Sequence, residues 1–359
     1  MQDEAQLMKN IFGLTRPKLE QSLIELNEKP FRATQIFEWI YKKGISDFTQ
    51  MSNISKTSME ILSQNFTSTS LEVETMQMSK DGTRKFLFRL QDGNFIETVL
   101  MRHNYGNSVC ISTQVGCNMG CSFCASGINK RKRNLEVEEM VLQVVLINDI
   151  LRKEELNVSH VVIMGIGEPF DNYDNVMDFI KIINDGKGLE IGARHITVST
   201  CGIAPKIIEF SNLDLQVNLA ISLHFPNDEL RSKYMLINKA HNLDELFTAI
   251  RYYYEKTNRR LTFEYILLDG INDTPECCNQ LIKLIRNVNC YVNLIPMNES
   301  NQVFKRSKPE VMNKFYDTLV KAGINVTLRR EQGHDIDAAC GQLRIKREGM
   351  NEGVNNQSN

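Results

Sequence analysis

Four of the nine cysteines in this 359-residue chain fall within one stretch, CISTQVGCNMGCSFCASG, residues 110–127. Three of them, Cys117, Cys121 and Cys124, are spaced C-x3-C-x2-C. Thiolates hold zinc or iron–sulfur clusters, and both usually take four protein ligands. No convincing fourth is at hand: Cys110 sits seven residues upstream of the triplet, and the loop has no histidine. Three thiolates can instead hold three corners of a [4Fe–4S] cube and leave one iron open. An open iron can chelate the amino and carboxylate groups of a small molecule, as an open zinc position takes water or substrate.

The elements that must position this loop are legible around it. From about residue 108 the chain alternates strand patterns (SVCISTQ, SHVVIMG, RHITVST, VNLAISLH, LTFEYILL, YVNLIPM) with helical ones. The helical segments include LEVEEMVLQVVLINDILRKE, NYDNVMDFIKIIND, LDELFTAIRYYYEK and PEVMNKFYDTLVKAG. Six strand-then-helix units predict an α/β fold with a parallel sheet, doubly wound or curled into a partial barrel, and INVTLRR adds one further strand. In such folds the active site gathers at the C-terminal ends of the strands. Those ends carry the cysteine loop, then Gly165, Gly167 and Glu168, then Ser199, then Ser222 and His224, and finally Asn298. GIGEP has too few glycines in the right places for a dinucleotide fingerprint.

Residues 1–70 read as a helical accessory unit, with TRPKLEQSLIELNEK and PFRATQIFEWIYKKG each bearing a proline near the start. Residues 71–107 contain a hairpin, TRKFLFRLQDGNFIETVLM, turning at QDGN. Residues 108–345 form the core, and the polar tail 346–359 is expected to be disordered. Composition is that of an ordinary globular protein, 42% hydrophobic and 24% charged. No apolar stretch is long enough for a membrane span, the N-terminus lacks a signal-peptide pattern, and the cysteines lie largely outside any paired framework, so a cytoplasmic monomer is the expectation. A net charge of −2 gives no global pull toward nucleic acid. Only local patches could bind it: Lys130 to Arg133 behind the cysteines, Lys305, Arg306 and Lys308, and Arg329 with Arg330.

The triplet in the loop after the first strand resembles the radical S-adenosylmethionine enzymes, whose fold is a partial (β/α)6 TIM-like barrel. PFRATQIFEWIY, GCNMGCSFCAS, MGIGEPFDNYDNV, SLHFPNDELRSKYMLIN, NLIPMN and GHDIDAACGQL together resemble the bacterial RNA adenine-C2 methyltransferase family acting on 23S rRNA and tRNA. The likeness runs from about residue 10 to 346, and CASGINKRKRN departs locally from relatives.

That resemblance implies two S-adenosylmethionine molecules per turnover, with Cys117, Cys121 and Cys124 holding the [4Fe–4S] cluster. Gly167 and Glu168 would meet the methionine amino group, and Ser199, Ser222, Leu223, His224 and Asn298 the rest of the cofactor. Cys340 would carry the methyl group after ordinary displacement from the first S-adenosylmethionine. A 5′-deoxyadenosyl radical from the second would take hydrogen from that methyl, and the methylene radical would add to adenine C2. This detour has a physical reason, because C2 is electron-poor and resists an electrophilic methyl group. Cys110 would resolve the adduct as a disulfide with Cys340, and Glu97 would match the proton acceptor. A flavodoxin- or ferredoxin-type donor would supply electrons. The nearest alternative is methylation of adenine C8 with ribosomal antibiotic resistance. A more distant one is a non-catalytic RNA-binding protein with structural zinc.

Apart from the resemblance, several of these residues have plainer readings. Cys110 and Cys340 would each be a buried thiol, Glu97 a surface carboxylate of the hairpin, and His224 and His334 structural histidines. Cys201, Cys277, Cys278 and Cys290 read as packing, and Trp39 as core.

Overall fold

The computed structural model describes residues 8–127, 130–298, 303–329, 332–333, 335–337 and 343. Ten strands form its main sheet: β1 (Glu72–Met78), β2 (Arg84–Arg89), β3 (Phe95–His103), β4 (Gly106–Cys110), β5 (Val158–Ile163), β6 (Ile196–Thr200), β7 (Asn218–Ser222), β8 (Leu261–Leu267), β9 (Cys290–Pro296) and β10 (Asn325–Leu328). They lie side by side in chain order. β1 to β4 pair antiparallel, and β4 to β10 run parallel. Helices α4 (Val137–Arg152), α5 (Tyr173–Asn184), α6 (Ala204–Phe210), α8 (Leu243–Thr257), α9 (Pro275–Ile285) and α10 (Pro309–Lys321) connect the parallel strands. The product is a partial (β/α)6 barrel with one extra strand, and all six sequence-predicted barrel strands are found in it.

The two faces of the sheet differ. Val109, Val161, Ile163, Val198 and Ile221 pack outward with the helices in the main core. The alternate residues Cys110 and Val162, with Val99, Met101 and Met164, form a separate small cluster on the other face.

The N-terminal helices α1 (Arg16–Glu25), α2 (Arg32–Phe37) and α3 (Lys56–Asn65) are closed off by a short parallel pair, Lys9–Asn10 against Phe66–Thr67. α1 starts as its sequence demands, with Thr15 capping the Lys18 amide and Pro17 in the first turn. Ile36, Phe37, Trp39 and Tyr41 belong to the same core as α4 and α5. Arg16 pairs with Asp185 at 2.9 Å, and Arg152 donates to the Tyr41 carbonyl. The N-terminal unit thus shares its core with the barrel.

The C-terminal segment crosses back to β1. Gln77 and Asp337 exchange two hydrogen bonds at 3.0 and 3.1 Å, Ser79 donates to Asp335, and the Gly333 amide donates to Asp81 at 2.8 Å. Leu343 packs on Leu87 and Phe95. Cys340, His334, Arg330 and the tail 346–359 lie outside the described residues.

Candidate active site

The cysteine loop leaves β4 and is pinched at its base by a two-residue ladder, Gln114–Val115 against Arg133–Asn134. Its far side is held by α7 (Asp228–Tyr234), because the Ser122 amide donates to the Tyr234 carbonyl at 3.0 Å. Cys121 and Cys124 pack against a cluster of Phe123, Phe225, Met235, Met297 and Phe304. Burial pushes the Cys117 thiol up to about 12, with Cys124, Glu168 and Asp171 adding to the rise. Burial also raises Cys121, and Cys124 and Cys117 raise it further. The three thiols therefore stand in one electrostatic neighbourhood, where cationic iron would reverse the cost of ionising them. Among the described residues no three His, Cys, Asp or Glu are gathered as a single-ion site. A cube needs no such set, since each thiolate binds its own iron.

The second strand end is sewn to this loop. The Gly165 amide donates to Ile111 O at 2.9 Å, and the Thr113 and Gln114 amides donate to Ile166 O. A Cβ at Gly165 would sit 2.5 Å from Ile111 O. Gly167 has φ +115, and a Cβ there would meet Gln114 Cβ at 2.7 Å. Both glycines are steric requirements of this crossing. Glu168 is buried: Oε1 accepts from the Phe170 amide at 3.0 Å, and Oε2 from the Cys201 amide at 2.8 Å. Burial raises its carboxyl above the usual range against these bonds.

At the next ends, Ser199 Oγ lies 3.4 Å from Ser222 Oγ. Leu223 is fully buried, and Asn298 is exposed two residues beyond β9. His224 adopts a left-handed φ of +57. Its carbonyl takes the Asn272 amide at 2.7 Å, and its Nδ1 takes the Ile266 amide at 3.2 Å. Burial, reinforced by Arg231, pushes the imidazole down to about 3, so it is neutral near pH 7.

Across the mouth lies a second group. Glu97 is 3% exposed and pairs with Lys85, fully buried, at 2.9 Å. Burial overturns the reading of Glu97 as a surface carboxylate. Register places Lys85 opposite Val99, Val99 opposite Cys110, and Cys110 opposite Val162, so Lys85, Glu97 and Cys110 share one face. Leu87 and Phe95, which receive Leu343, alternate onto that face as well. The residues flanking Cys340 are thus held on both sides, Asp337 by Gln77 on β1 and Leu343 by Leu87 on β2 and Phe95 on β3, the strand of Glu97.

Comparison with known proteins decides the family. Residues 9–67 match the "Ribosomal RNA large subunit methyltransferase N-terminal domain" model, and residues 111–282 match the radical SAM superfamily model. A Staphylococcus saprophyticus protein described as "Probable dual-specificity RNA methyltransferase RlmN" is 55% identical over 340 residues, 94% of this chain and 93% of its own. A Listeria monocytogenes protein of the same description is 55% identical over 353 residues, 96% of each chain. The chain belongs to the RlmN family. A crystal structure of a radical SAM methyltransferase from Sphaerobacter thermophilus has a TM-score of 0.89 at 42% identity, covering 93% of this chain and 98% of that one.

An RlmN-family protein is a radical SAM RNA methyltransferase, and membership implies a [4Fe–4S] cluster and S-adenosylmethionine. The zinc-bearing, non-catalytic alternative is set aside. The Cys117, Cys121 and Cys124 loop has the donor chemistry for the cluster, and the Gly165–Glu168 crossing lies directly beside it.

Arg131, Lys132 and Arg133 of the basic run behind the cysteines have partners within the chain. Arg131 pairs with Asp171, Lys132 Nζ donates to Asn94 at 2.9 Å, and Arg133 forms a fork with Glu139 at 2.7 and 2.8 Å and also meets Asp92. These side chains latch the cysteine loop to α4, to the Pro169–Asn172 turn that precedes α5, and to the β2–β3 turn. Sequence reasoning also missed Lys85 and Arg231. Lys85 had a signal, since it alternates with Leu87 on the hairpin face. Arg231, amid the charges of NDELRSKY, had none. No described helix is long and apolar enough to cross a membrane.

Proposed function

We propose that this enzyme methylates C2 of an adenine in 23S rRNA and of an adenine beside the anticodon in tRNA, by way of S-methylcysteine at Cys340 and with two S-adenosylmethionine molecules per turnover. The observation that carries the reading is that Glu97 on β3 and Cys110 on β4 share one face of the sheet, with the residues flanking Cys340 held on β1 at Asp337 and on β2 and β3 at Leu343. The "dual-specificity" in the relatives' description supports the two RNA classes.

In this reading Cys117, Cys121 and Cys124 hold the cluster, which when bound supplies the electron that cleaves the second S-adenosylmethionine. The buried Glu168 and the Gly167 backbone receive the methionine ammonium, for which a carboxylate is the natural acceptor. Ser199, Ser222, Leu223, His224 and Asn298 surround the nucleoside and the rest of the cofactor. Cys340 thiolate attacks the first methyl group, forming the carbon–sulfur bond as S-adenosylhomocysteine leaves. Glu97 accepts the proton from C2, held in place by Lys85. The Cys110 thiolate then attacks the Cys340 sulfur, forming the S–S bond as the bond from that sulfur to the former methyl carbon breaks. The bonding pair stays with the carbon, which takes a proton and remains on C2 as the methyl group. The electron donor is a flavodoxin- or ferredoxin-type protein, the compartment is the cytoplasm, and the helical unit of residues 1–70 grips RNA away from the reacting base.

Nucleoside mass spectrometry tests the whole reading. Anaerobically reconstituted enzyme, S-adenosylmethionine and reductant are incubated with unmodified 23S rRNA and, separately, tRNA. The expected product from both is 2-methyladenosine, absent with Cys340→Ala. 8-Methyladenosine would refute the C2 assignment, and product from rRNA alone would refute the tRNA one. Deletion of the N-terminal helices with no loss of RNA affinity would refute their role.

A further inference from the structure

Arg231 is the largest side chain buried without exposure in the described structure. It comes from α7, the helix that holds the far side of the cysteine loop. Its guanidinium reaches under the mouth of the barrel and donates to three groups: Cys201 O at 2.5 Å, Asn238 Oδ1 at 2.8 Å and Leu223 O at 3.3 Å. All three are neutral, and among the described residues Arg231 makes no ion pair. A buried charge is normally paired, because carbonyl dipoles alone do not repay its lost hydration. The negative groups in its field are Asp228 and the thiols of Cys121 and Cys201 when ionised. Reciprocally, Arg231 lowers Cys121, against burial and the neighbouring thiols that raise it.

We infer that Arg231 is a positioning residue whose fixed positive charge balances the cluster held by Cys117, Cys121 and Cys124 and makes its reduction easier. The inference rests on the cluster assignment above. Three thiolates around a 2+ cube carry a net charge of −1. Adding one electron from a low-potential iron–sulfur or flavin donor takes the cube to 1+ and the net charge to −2. No bond is made or broken in that step. A guanidinium sequestered from water favours the more negative state. A unit charge at low effective dielectric and short range shifts such an equilibrium on the order of tenfold. Its bonds to the β6 and β7 ends keep the charge fixed, so little reorganisation accompanies electron arrival.

The competing role is a purely structural tie between Cys201 O and Leu223 O, and lysine separates the two. Arg231→Lys keeps the charge and loses the fork, whereas Arg231→Gln keeps a donor and loses the charge. Holoenzymes are matched for iron and sulfide content and titrated anaerobically without RNA, with the reduced cluster read by electron paramagnetic resonance. Arg231→Gln is expected to lower the reduced-to-oxidised ratio about tenfold at fixed potential, a 59 mV shift for one electron. Arg231→Lys should recover most of it. Equal potentials in Arg231→Gln and wild type would overturn the inference, as would Lys and Gln variants that fall together.

Asp228→Asn provides a second arm should Arg231→Gln fail to fold. The Asn238 amide at 2.8 Å and the Leu243 amide at 2.9 Å both use Oδ1 of Asp228, which asparagine retains. Removing this negative charge should raise the reduced fraction several-fold, and an unchanged ratio would overturn the inference. A wild-type protein that takes up no iron would instead sink the cluster assignment, and iron analysis reads that before any titration begins.

Discussion

Replacing Lys85 by Met keeps the length and most of the volume of the side chain and removes only its charge. Lys85 is 0% and Glu97 3% exposed, with 2.9 Å between Nζ and Oε2. Burial this deep removes the solvent screening that makes surface pairs weak. Removing one partner of such a pair costs about 3–5 kcal/mol, because the remaining charge keeps its desolvation cost and loses its compensation. Lys85→Met should therefore destabilise by about that amount. Adding Glu97→Gln removes the stranded charge, so the double variant should recover roughly 2–3 kcal/mol relative to the sum of the single ones. Urea unfolding of all four proteins supplies the cycle, provided the slopes agree and two probes coincide. Loss of less than about 1 kcal/mol in Lys85→Met, or an additive double variant, would refute the claim that this pair is held together in a dry site.

Glu97→Gln should cut 2-methyladenosine formation by about 10²–10⁴-fold while leaving methylation of Cys340 intact, as intact-protein mass spectrometry can read. Equal loss of both would remove Glu97 from the proton-transfer step. Gly165→Ala must displace Ile111 O from 2.5 Å and break the 2.9 Å bond it receives. A cost of about 2–4 kcal/mol, with loss of iron retention, is expected in thermal unfolding and iron analysis. Arg133→Ala should hasten iron loss to a chelator but leave RNA affinity and its salt slope unchanged, since its donors are occupied by Glu139 and Asp92. A weaker salt slope would make it a phosphate contact after all. Although burial pushes Asp81 upward, amide bonds from Gly333 and Thr83 prevail and hold its carboxyl at about 2, below its ordinary 3.8. A depressed folded value stabilises above the unfolded one and is lost as pH falls through about 2. The protection of the Gly333 amide, with its intrinsic exchange rate divided out, should therefore fall between pH 4 and 2 and stay flat above pH 5.

The barrel strands were legible because burial of both faces leaves a run such as SHVVIMG with little room for another reading. β1 escaped notice for the opposite reason. Val73, Met76 and Met78 are each about half exposed, so EVETMQM carries no clean alternation to find. α7 is short and charged, and only its Asn227 cap and acidic first turn mark it. The nearness of Cys117, Cys121 and Cys124 was legible from spacing, since three thiols in eight residues need no fold to meet. The burial of Lys85 depends on Glu97 across a strand pair, and that of Arg231 on carbonyls at the ends of β6 and β7. Long-range burial of a charge has no local pattern, and the partners of the basic run, up to 41 residues away, were hidden for the same reason.

One short piece of backbone joins the two halves of the site. Cys110 ends β4 on the Glu97 side, and Cys117 begins the cluster loop seven residues later. Every residue from Ile111 to Gln114 is bonded to something other than its neighbours. Ile111 and Thr113 join the β5 exit, Ser112 Oγ donates to Glu97 O at 2.6 Å, and Gln114 Oε1 accepts the Glu168 amide at 2.9 Å. Gln143, fully buried on α4, closes the arrangement. Its Oε1 accepts from the Ser112 amide and Thr98 Oγ1, and its Nε2 donates to Ser112 O. A satisfied buried network of this kind has few alternative geometries. In the mechanism proposed above it would hold the Cys110 and Glu97 side and the cysteine-loop side at a fixed offset, as a reaction needs when a radical made at one must reach a methyl group carried at the other.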